Sequence, residues 1–236
     1  MMIELKVLNS ERLSFLPGQF VNVMIPDKIA RAYSISRYEY EANFEGDILE
    51  LCVEYIEGGK GSEFFKNLSV NDEVILKGPF GRFTPSHYEF STKELKKIDG
   101  RIILIGTGTG IVPLYNIVND LSLKIAENRE LLSYTEVVVL HGVRHENENY
   151  FDRRFTKLSE GFLELGVQYD YKLWVSQATE KYIGNKGRIT NSLMNLLPRN
   201  TDEIYLCGNG ATVLAIRGIL IGQGFQDSQI HTERYN

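Results

Sequence analysis

The sequence predicts a two-domain protein: an antiparallel β-barrel over residues 1–97, then an α/β domain built on a parallel sheet over residues 98–236. Three observations carry this. Short β-rich runs separated by Gly, Pro and Asn turns fill the first part. Apolar strand-like runs alternate with segments of helical period in the second. A polar stretch at residues 86–99, containing Lys93, Lys96 and Lys97, divides them. A chain of 236 residues accommodates two modest domains.

In the first part, residues 3–8, 19–25, 32–37, 48–55 and 73–78 are rich in Val, Ile, Leu and Tyr and read as strands. Pro17-Gly18, Pro26-Asp27, residues 43–46 and Gly58-Gly59 punctuate them. One short helix is expected over 62–67 with Ser62 as its N-cap. Strands at this spacing suggest a small barrel. In the second part, residues 101–105 form an apolar strand, and 112–127 place Leu114, Ile117, Val118, Leu121 and Ile125 at helical period. Strands follow at 136–140, 169–175 and 204–207, and helices at 147–160, 190–197 (capped by Thr190 or Asn191) and 211–221. The repeated strand–helix order predicts a parallel sheet covered on both faces.

Composition narrows the function classes. Hydrophobic residues make up 43% of the chain, enough for real cores, and the net charge of −5 disfavours nucleic acid as a partner. No apolar run approaches the roughly 20 residues of a membrane helix. The first residues lack the basic-then-apolar layout of a signal peptide, and with only two cysteines in the sequence a reducing cytoplasm is the expected setting. Cys52 and Cys207 are the only cysteines, too few for a disulfide framework or for the four ligands of a [2Fe–2S] cluster. His87, His141, His145 and His231 show no zinc-ligand spacing, and no metal is expected.

Arg31-Ala32-Tyr33-Ser34 combines a cation, an aromatic plate and a hydroxyl. That set suits a flavin: charge for a phosphate, a flat face for a ring, a donor for a ring nitrogen. Alone, it equally reads as a strand with an exposed Arg, a core Tyr and a solvated Ser. Gly58-Gly59-Lys60-Gly61-Ser62 precedes the short helix. Its glycines permit close backbone approach and a helix start favours anions, though a hairpin loop has the same composition.

Gly106-Thr107-Gly108-Thr109-Gly110 follows a strand and opens a helix, with Pro113 in the first turn. This context supports a Rossmann-like pyrophosphate site, although the spacing is G-x-G-x-G rather than G-x-G-x-x-G. A tight turn would explain one glycine but not three. Leu206-Cys207-Gly208-Asn209-Gly210 ends a strand where parallel sheets bind ligands. The second strand of the sheet ends at His141-Gly142-Val143-Arg144, and Arg144 suits the 2′-phosphate of NADP where NAD enzymes place an acid. Lone arginines at 144 and 188 also read as surface charge.

These motifs in this order, with the terminal Glu233-Arg234-Tyr235-Asn236, resemble the ferredoxin–NADP reductase family from about Phe15 to the last residue. The resemblance implies an FAD-binding barrel and an NADP-binding α/β domain. It implies Arg31 on the flavin phosphate, Ala32 beside it, Tyr33 on the isoalloxazine and Ser34 toward N5. It puts Gly59, Lys60, Gly61 and Ser62 on the second phosphate, favouring FAD over FMN, and makes residues 78–83 a closing turn beside the flavin. Gly106 to Gly110 and Pro113 would hold the pyrophosphate of NADP(H). Arg144, Ser176 and Arg188 would hold its 2′-phosphate, with Gln177 where relatives carry a further cation. Cys207 and Gly208 would lie beside the nicotinamide path, with no nucleophilic role for the thiol. Tyr235 would cover the flavin, anchored through Ile230. Ser34, Cys207 and Glu233 are the expected catalytic lining.

The implied activity is hydride transfer from NADPH to FAD and then single electrons to ferredoxin or flavodoxin, reversibly, by a monomer. Acidic carriers would need a basic patch, for which Lys60, Lys66, Arg82, Lys93, Lys96 and Lys97 are candidates. The family's barrel has a further strand before residues 3–8, so a truncated start is expected. Two alternatives stand beside this reading. One is an NADH-dependent reductase component of an oxygenase, or a cytochrome b5 reductase-like enzyme, toward which Gly58-Gly59-Lys60 and Gly78-Pro79-Phe80-Gly81 lean. The other is a non-catalytic flavin subunit of a larger complex, against which a single cysteine near the C-terminus argues.

Overall fold

The computed structural model describes residues 1–8, 13–41, 46–89, 94, 98–130 and 132–235. Lys93, Lys96, Lys97, Asn236 and most of the turn expected at 43–46 lie outside the described residues. The chain forms two compact units, Met1–Pro85 and Ser86–Asn236. The boundary precedes the polar stretch because residues 86–88 bond into the second unit. The Ser86 N–H donates to the Tyr205 hydroxyl at 2.8 Å, and the Tyr88 hydroxyl to Asp120 at 2.9 Å.

The first unit is an antiparallel sheet of β1 (Met2–Lys6), β2 (Phe20–Ile25), β3 (Ile29–Glu41), β4 (Gly46–Cys52) and β5 (Ile75–Phe80), in the order β1-β4-β3-β2-β5. Alternation along β2 buries Val21, Val23 and Ile25. They pack with Ile35, Leu49, Leu51, Val53 and Phe65, the last from α1 (Lys60–Asn67). That helix starts before residue 62, and its N-cap is Gly59 rather than Ser62. The Ser62 hydroxyl is used elsewhere: it accepts the Ile56 N–H at 2.8 Å and donates to the Glu54 carbonyl at 3.4 Å, closing the loop ahead of the helix.

The second unit is a parallel sheet of β6 (Ile98–Thr107), β7 (Leu132–Val143), β8 (Gln168–Val175), β9 (Asn185–Lys186), β10 (Asp202–Asn209) and β11 (Ile230–Tyr235), in the order β11-β10-β6-β7-β8-β9. It is accompanied by α2 (Ile111–Glu127), α3 (Asp152–Glu164) and α4 (Gly210–Gly222). Leu114, Ile117, Val118, Leu121 and Ile125 are all buried, as their period requires. At the amino edge Arg101 and Asp202 form a buried bidentate pair at 2.9 and 2.7 Å. The carboxyl edge is where the candidate residues gather.

Two helix expectations differ from the structure. The helix read at 147–160 is a 3-10 turn at Glu146–Glu148 followed by α3, because Glu148 turns back to accept the N–H groups of Arg144 and His145. The helix read at 190–197 is a 3-10 run at Ile189–Asn195, where the Ser192 hydroxyl bonds the Ile189 carbonyl at 2.6 Å; its N-cap position is Arg188, not Thr190 or Asn191. The C-terminal tail is strand β11, with Ile230 opposite Ile204. Among the described residues, no helix is long and apolar enough to cross a membrane.

Candidate cofactor and nucleotide sites

In the first unit, strand alternation sends Arg31 and Tyr33 to one face of β3 and Ala32 and Ser34 to the other. The Tyr33 ring stands edge-on to Phe65 of α1, with centroids 5.1 Å apart. Its hydroxyl and the Arg31 stem fill the space before Gly61: a Cβ there would lie 2.4 Å from Tyr33 Oη and 3.6 Å from Arg31 Cγ. Burial raises the Tyr33 phenol pKa, and the Arg31 charge opposes that rise. No side chain caps Gly59, and nothing stands within 4 Å of the position a Cβ of Gly58 would take. A cation, a phenol and an uncapped helix start thus converge on a glycine-lined surface, which fits a phosphate group. Beside it opens a cleft of about 450 Å³ lined by Ile25, Pro26, Phe64 and Leu68, with Lys60 Nζ 3.5 Å from Asp27 Oδ2 at its rim. Ser34 is half-buried opposite Phe20. Of the basic candidates, Lys60 and Lys66 share α1, the latter 5.8 Å from the Tyr55 ring centroid, and Arg82 is exposed.

In the second unit, β6 ends at Thr107, and Gly108–Gly110 form a 3-10 turn before α2, with Pro113 buried in its first turn. Gly108 has φ +54°, a left-handed conformation that glycine adopts without strain. This loop packs backbone to backbone against the end of β10. A Cβ on Gly208 would lie 2.1 Å from Thr107 Oγ1, and that same oxygen accepts the Asn209 N–H at 3.3 Å. No side chain caps the turn or α2, while the Thr109 side chain is half-buried.

β10 and β11 set Cys207 opposite Glu233 and Asn209 opposite Tyr235. Burial pushes the Cys207 thiol pKa up, against a hydrogen bond from Tyr235 that lowers it. The thiol is therefore protonated and inert. Glu233 Oε2 is buried and has no hydrogen-bond partner, and burial lifts the carboxyl pKa to about 7. A carboxyl in that range can hold or release a proton at neutral pH.

Arg144, Ser176 and Arg188 follow the ends of β7, β8 and β9 along the same edge. The Ser176 N–H and hydroxyl both donate to the Val143 carbonyl, at 3.0 and 3.2 Å, and the Gln177 N–H donates to that of Arg144 at 2.8 Å. Arg188 is exposed after Gly187, whose N–H donates to the Val175 carbonyl at 2.9 Å. Sequence reasoning missed the acids in this region. Glu148 accepts the Arg144 N–H at 2.9 Å, and Glu146 accepts the Thr179 N–H and hydroxyl at 2.8 and 2.7 Å. Those Thr179 bonds hold the Glu146 pKa below its ordinary value. The run His145-Glu146-Asn147-Glu148 directly after Arg144 was the available signal.

Two protein families match the chain. The oxidoreductase FAD-binding domain matches residues 1–84 and the oxidoreductase NAD-binding domain residues 104–217. The toluate 1,2-dioxygenase electron transfer component of Pseudomonas putida is 26% identical over 236 residues, covering 99% of this chain and 62% of the relative. Ferredoxin–NADP reductase B of Sorangium cellulosum is 24% identical over 233 residues, covering 94% and 86%. Among solved structures, an Amycolatopsis cytochrome P450 reductase superposes with a TM-score of 0.76 at 26% identity, covering 99% of this chain and 64% of that one. The chain spans about three-fifths of the length of the dioxygenase components it matches.

Proposed function

Because the chain belongs to the ferredoxin–NADP reductase family of FAD- and pyridine-nucleotide-binding oxidoreductases, we propose that it is an FAD-dependent reductase that takes reducing equivalents from NADPH and delivers single electrons to ferredoxin or flavodoxin. The observation that carries the flavin half is the cradle of Arg31, Tyr33 and Gly61, in which two separated motifs meet at an uncapped helix start. The first unit, Met1–Pro85, would be the FAD-binding domain and the second, Ser86–Asn236, the NADP-binding domain. FAD, when bound, supplies the conversion of a two-electron hydride into single electrons.

The chain's own residues divide the remaining work. Arg31 and the backbone from Gly59 to Ser62 hold phosphate oxygens, Tyr33 gives the ring system a flat neighbour, and Ser34 offers a hydroxyl donor. The loop from Gly106 to Gly110 with Pro113 receives the nucleotide pyrophosphate. Gly208 leaves room for Thr107 to pack against the end of β10, which seats the loop there, and Cys207 fills space as an apolar neighbour that excludes water. Glu233 holds a proton near neutral pH. Arg144, Ser176 and Arg188 support NADPH through its 2′-phosphate.

A second reading is an NADH-dependent reductase component of an oxygenase. It is favoured by Glu146 and Glu148, which put carboxylates in the turn of Arg144, where a ribose diol is a better guest than a phosphate. An anaerobic titration of the purified yellow protein tests both. Flavin bleaching by NADPH at much lower concentration than NADH supports the first reading and the reverse order the second. A protein that binds no FAD, or is bleached by neither, overturns both.

A further inference from the structure

We infer that His141 is a positioning residue for the dinucleotide loop, holding the Gly108 carbonyl so that the turn keeps the shape that receives a pyrophosphate. The inference rests on the reading of that loop given above. His141 lies in β7 opposite Gly106 of β6 and is 1% exposed. Its strand neighbours Val138, Val139, Leu140 and Val143 are buried and apolar, so a polar ring here interrupts a hydrophobic run. Its Nε2 lies 3.2 Å from the Gly108 oxygen. A carbonyl only accepts, so Nε2 carries the proton and the ring is the Nε2–H tautomer. The other nitrogen, Nδ1, is buried with no hydrogen-bond partner, a cost that an apolar side chain would avoid. Retaining the ring therefore points to what Nε2 does.

The Gly108 carbonyl also accepts the Ile111 N–H at the start of α2. Both of its lone pairs are engaged, one by the helix and one by the neighbouring strand. That double hold fixes Gly108, at φ +54°, from two directions. Burial pushes the imidazole pKa down to about 4, against the Gly108 carbonyl and the Asp152 and Glu148 carboxylates, which raise it. The ring stays neutral across the physiological range, so His141 is a fixed donor rather than a switch.

The test uses the FAD-loaded full chain and three variants: His141→Gln, which keeps an N–H donor, and His141→Leu and His141→Phe, which do not. The dissociation constants for NADPH and NADH are measured together with Tm, KM and kcat. His141→Leu or His141→Phe should weaken nucleotide binding and raise KM about tenfold with kcat and FAD content little changed, and His141→Gln should restore most of the affinity. Equal nucleotide affinity in the wild type and the apolar variants, or an equal loss in His141→Gln, overturns the inference. Nitrogen-15 spectra of imidazole-labelled wild type give a readout that does not depend on how the variants fold: a neutral Nε2–H ring from pH 5.5 to 8.5 supports it, and an Nδ1–H ring or an imidazolium overturns it. A wild type that binds neither nucleotide overturns the underlying reading of the loop, and the inference with it.

Discussion

Gly110 lies against the carbonyl of Cys207: a Cβ at 110 would stand 2.3 Å from that oxygen and 2.6 Å from the Cα of Gly208. Its backbone is ordinary right-handed helix, φ −61° and ψ −11°, so the position needs glycine for space and not for conformation. The obstructing atoms are backbone and cannot rotate aside. Gly110→Ala must therefore part the start of α2 from the end of β10. The expected loss is roughly 1–3 kcal/mol, read as a Tm lowered by about 2–4 °C per kcal/mol, together with weaker nucleotide binding. Thermal denaturation and a nucleotide titration check it; an unchanged Tm would mean that the contact yields freely.

Gly61 faces a different obstacle, the tip of a side chain. A Cβ there would lie 2.4 Å from Tyr33 Oη but 3.7 Å from Tyr33 Cζ, an ordinary contact. Gly61→Ala should destabilise the wild type by roughly 1–2 kcal/mol, and by clearly less in a Tyr33→Phe background. A double-mutant cycle on denaturant unfolding measures the coupling. Additive effects would show that the Tyr33 hydroxyl is not what excludes the methyl group.

These two glycines mark what the sequence carried and what it did not. Their motifs were readable because glycine is itself a backbone signal, and the buried face of α2 followed from its period alone. The partner that makes each glycine necessary lies far along the chain, Tyr33 for Gly61 and Cys207 for Gly110, and no local pattern announces such a pairing. The same holds for the buried pair Arg101 and Asp202, 101 residues apart, and for Ser86 and Tyr205, 119 apart, whose bond moves the unit boundary. Helix expectations failed where polar side chains outcompeted the periodic signal, as Ser192 does in the 3-10 run and Glu148 does after β7. Strand β11 was hidden because alternation in Ile230–Tyr235 is carried by polar residues, among them the buried Glu233 oxygen.

Arg31 tests the flavin cradle. Its side chain is exposed, and its Nη1 donates to the Ala30 carbonyl at 3.1 Å, so its removal should leave the fold intact. Arg31→Ala should lower FAD affinity at least about tenfold, because a charge-assisted bond to phosphate is lost, while Arg31→Lys should retain part of it. Flavin content after dialysis and fluorescence titration of the apoprotein measure this. Full retention of FAD by Arg31→Ala would remove its phosphate role.

Arg144 and Glu146 make opposed predictions for nucleotide choice. Arg144→Ala should raise KM for NADPH about tenfold more than KM for NADH, since only the former carries the 2′-phosphate. Glu146→Gln keeps an oxygen for the Thr179 N–H while removing a negative charge, and should lower KM for NADPH with little effect on NADH. Steady-state rates with both nucleotides decide. Equal shifts with both would show that this turn does not read the 2′ position.

Glu233 predicts a pH dependence whose sign follows from its burial. Its folded pKa of about 7 lies above the ordinary 4.5, so ionisation opposes folding. Below pH 4.5 the carboxyl is neutral in both states, and its contribution to stability is whole. Between pH 4.5 and about 7 the unfolded chain has released a proton that the folded chain still holds, and stability falls as pH rises. Above about pH 7 both states are ionised and the penalty is constant. Glu233→Gln carries no titrating group at this position, so it escapes the penalty. Its Tm should run parallel to the wild type below pH 4.5, gain on it steadily up to about pH 7 and keep that gain at higher pH. Paired melting curves from pH 4 to 8.5 measure the difference. A gap that is flat across the range would return Glu233 to an ordinary carboxylate and take from it the role of holding a proton at neutral pH.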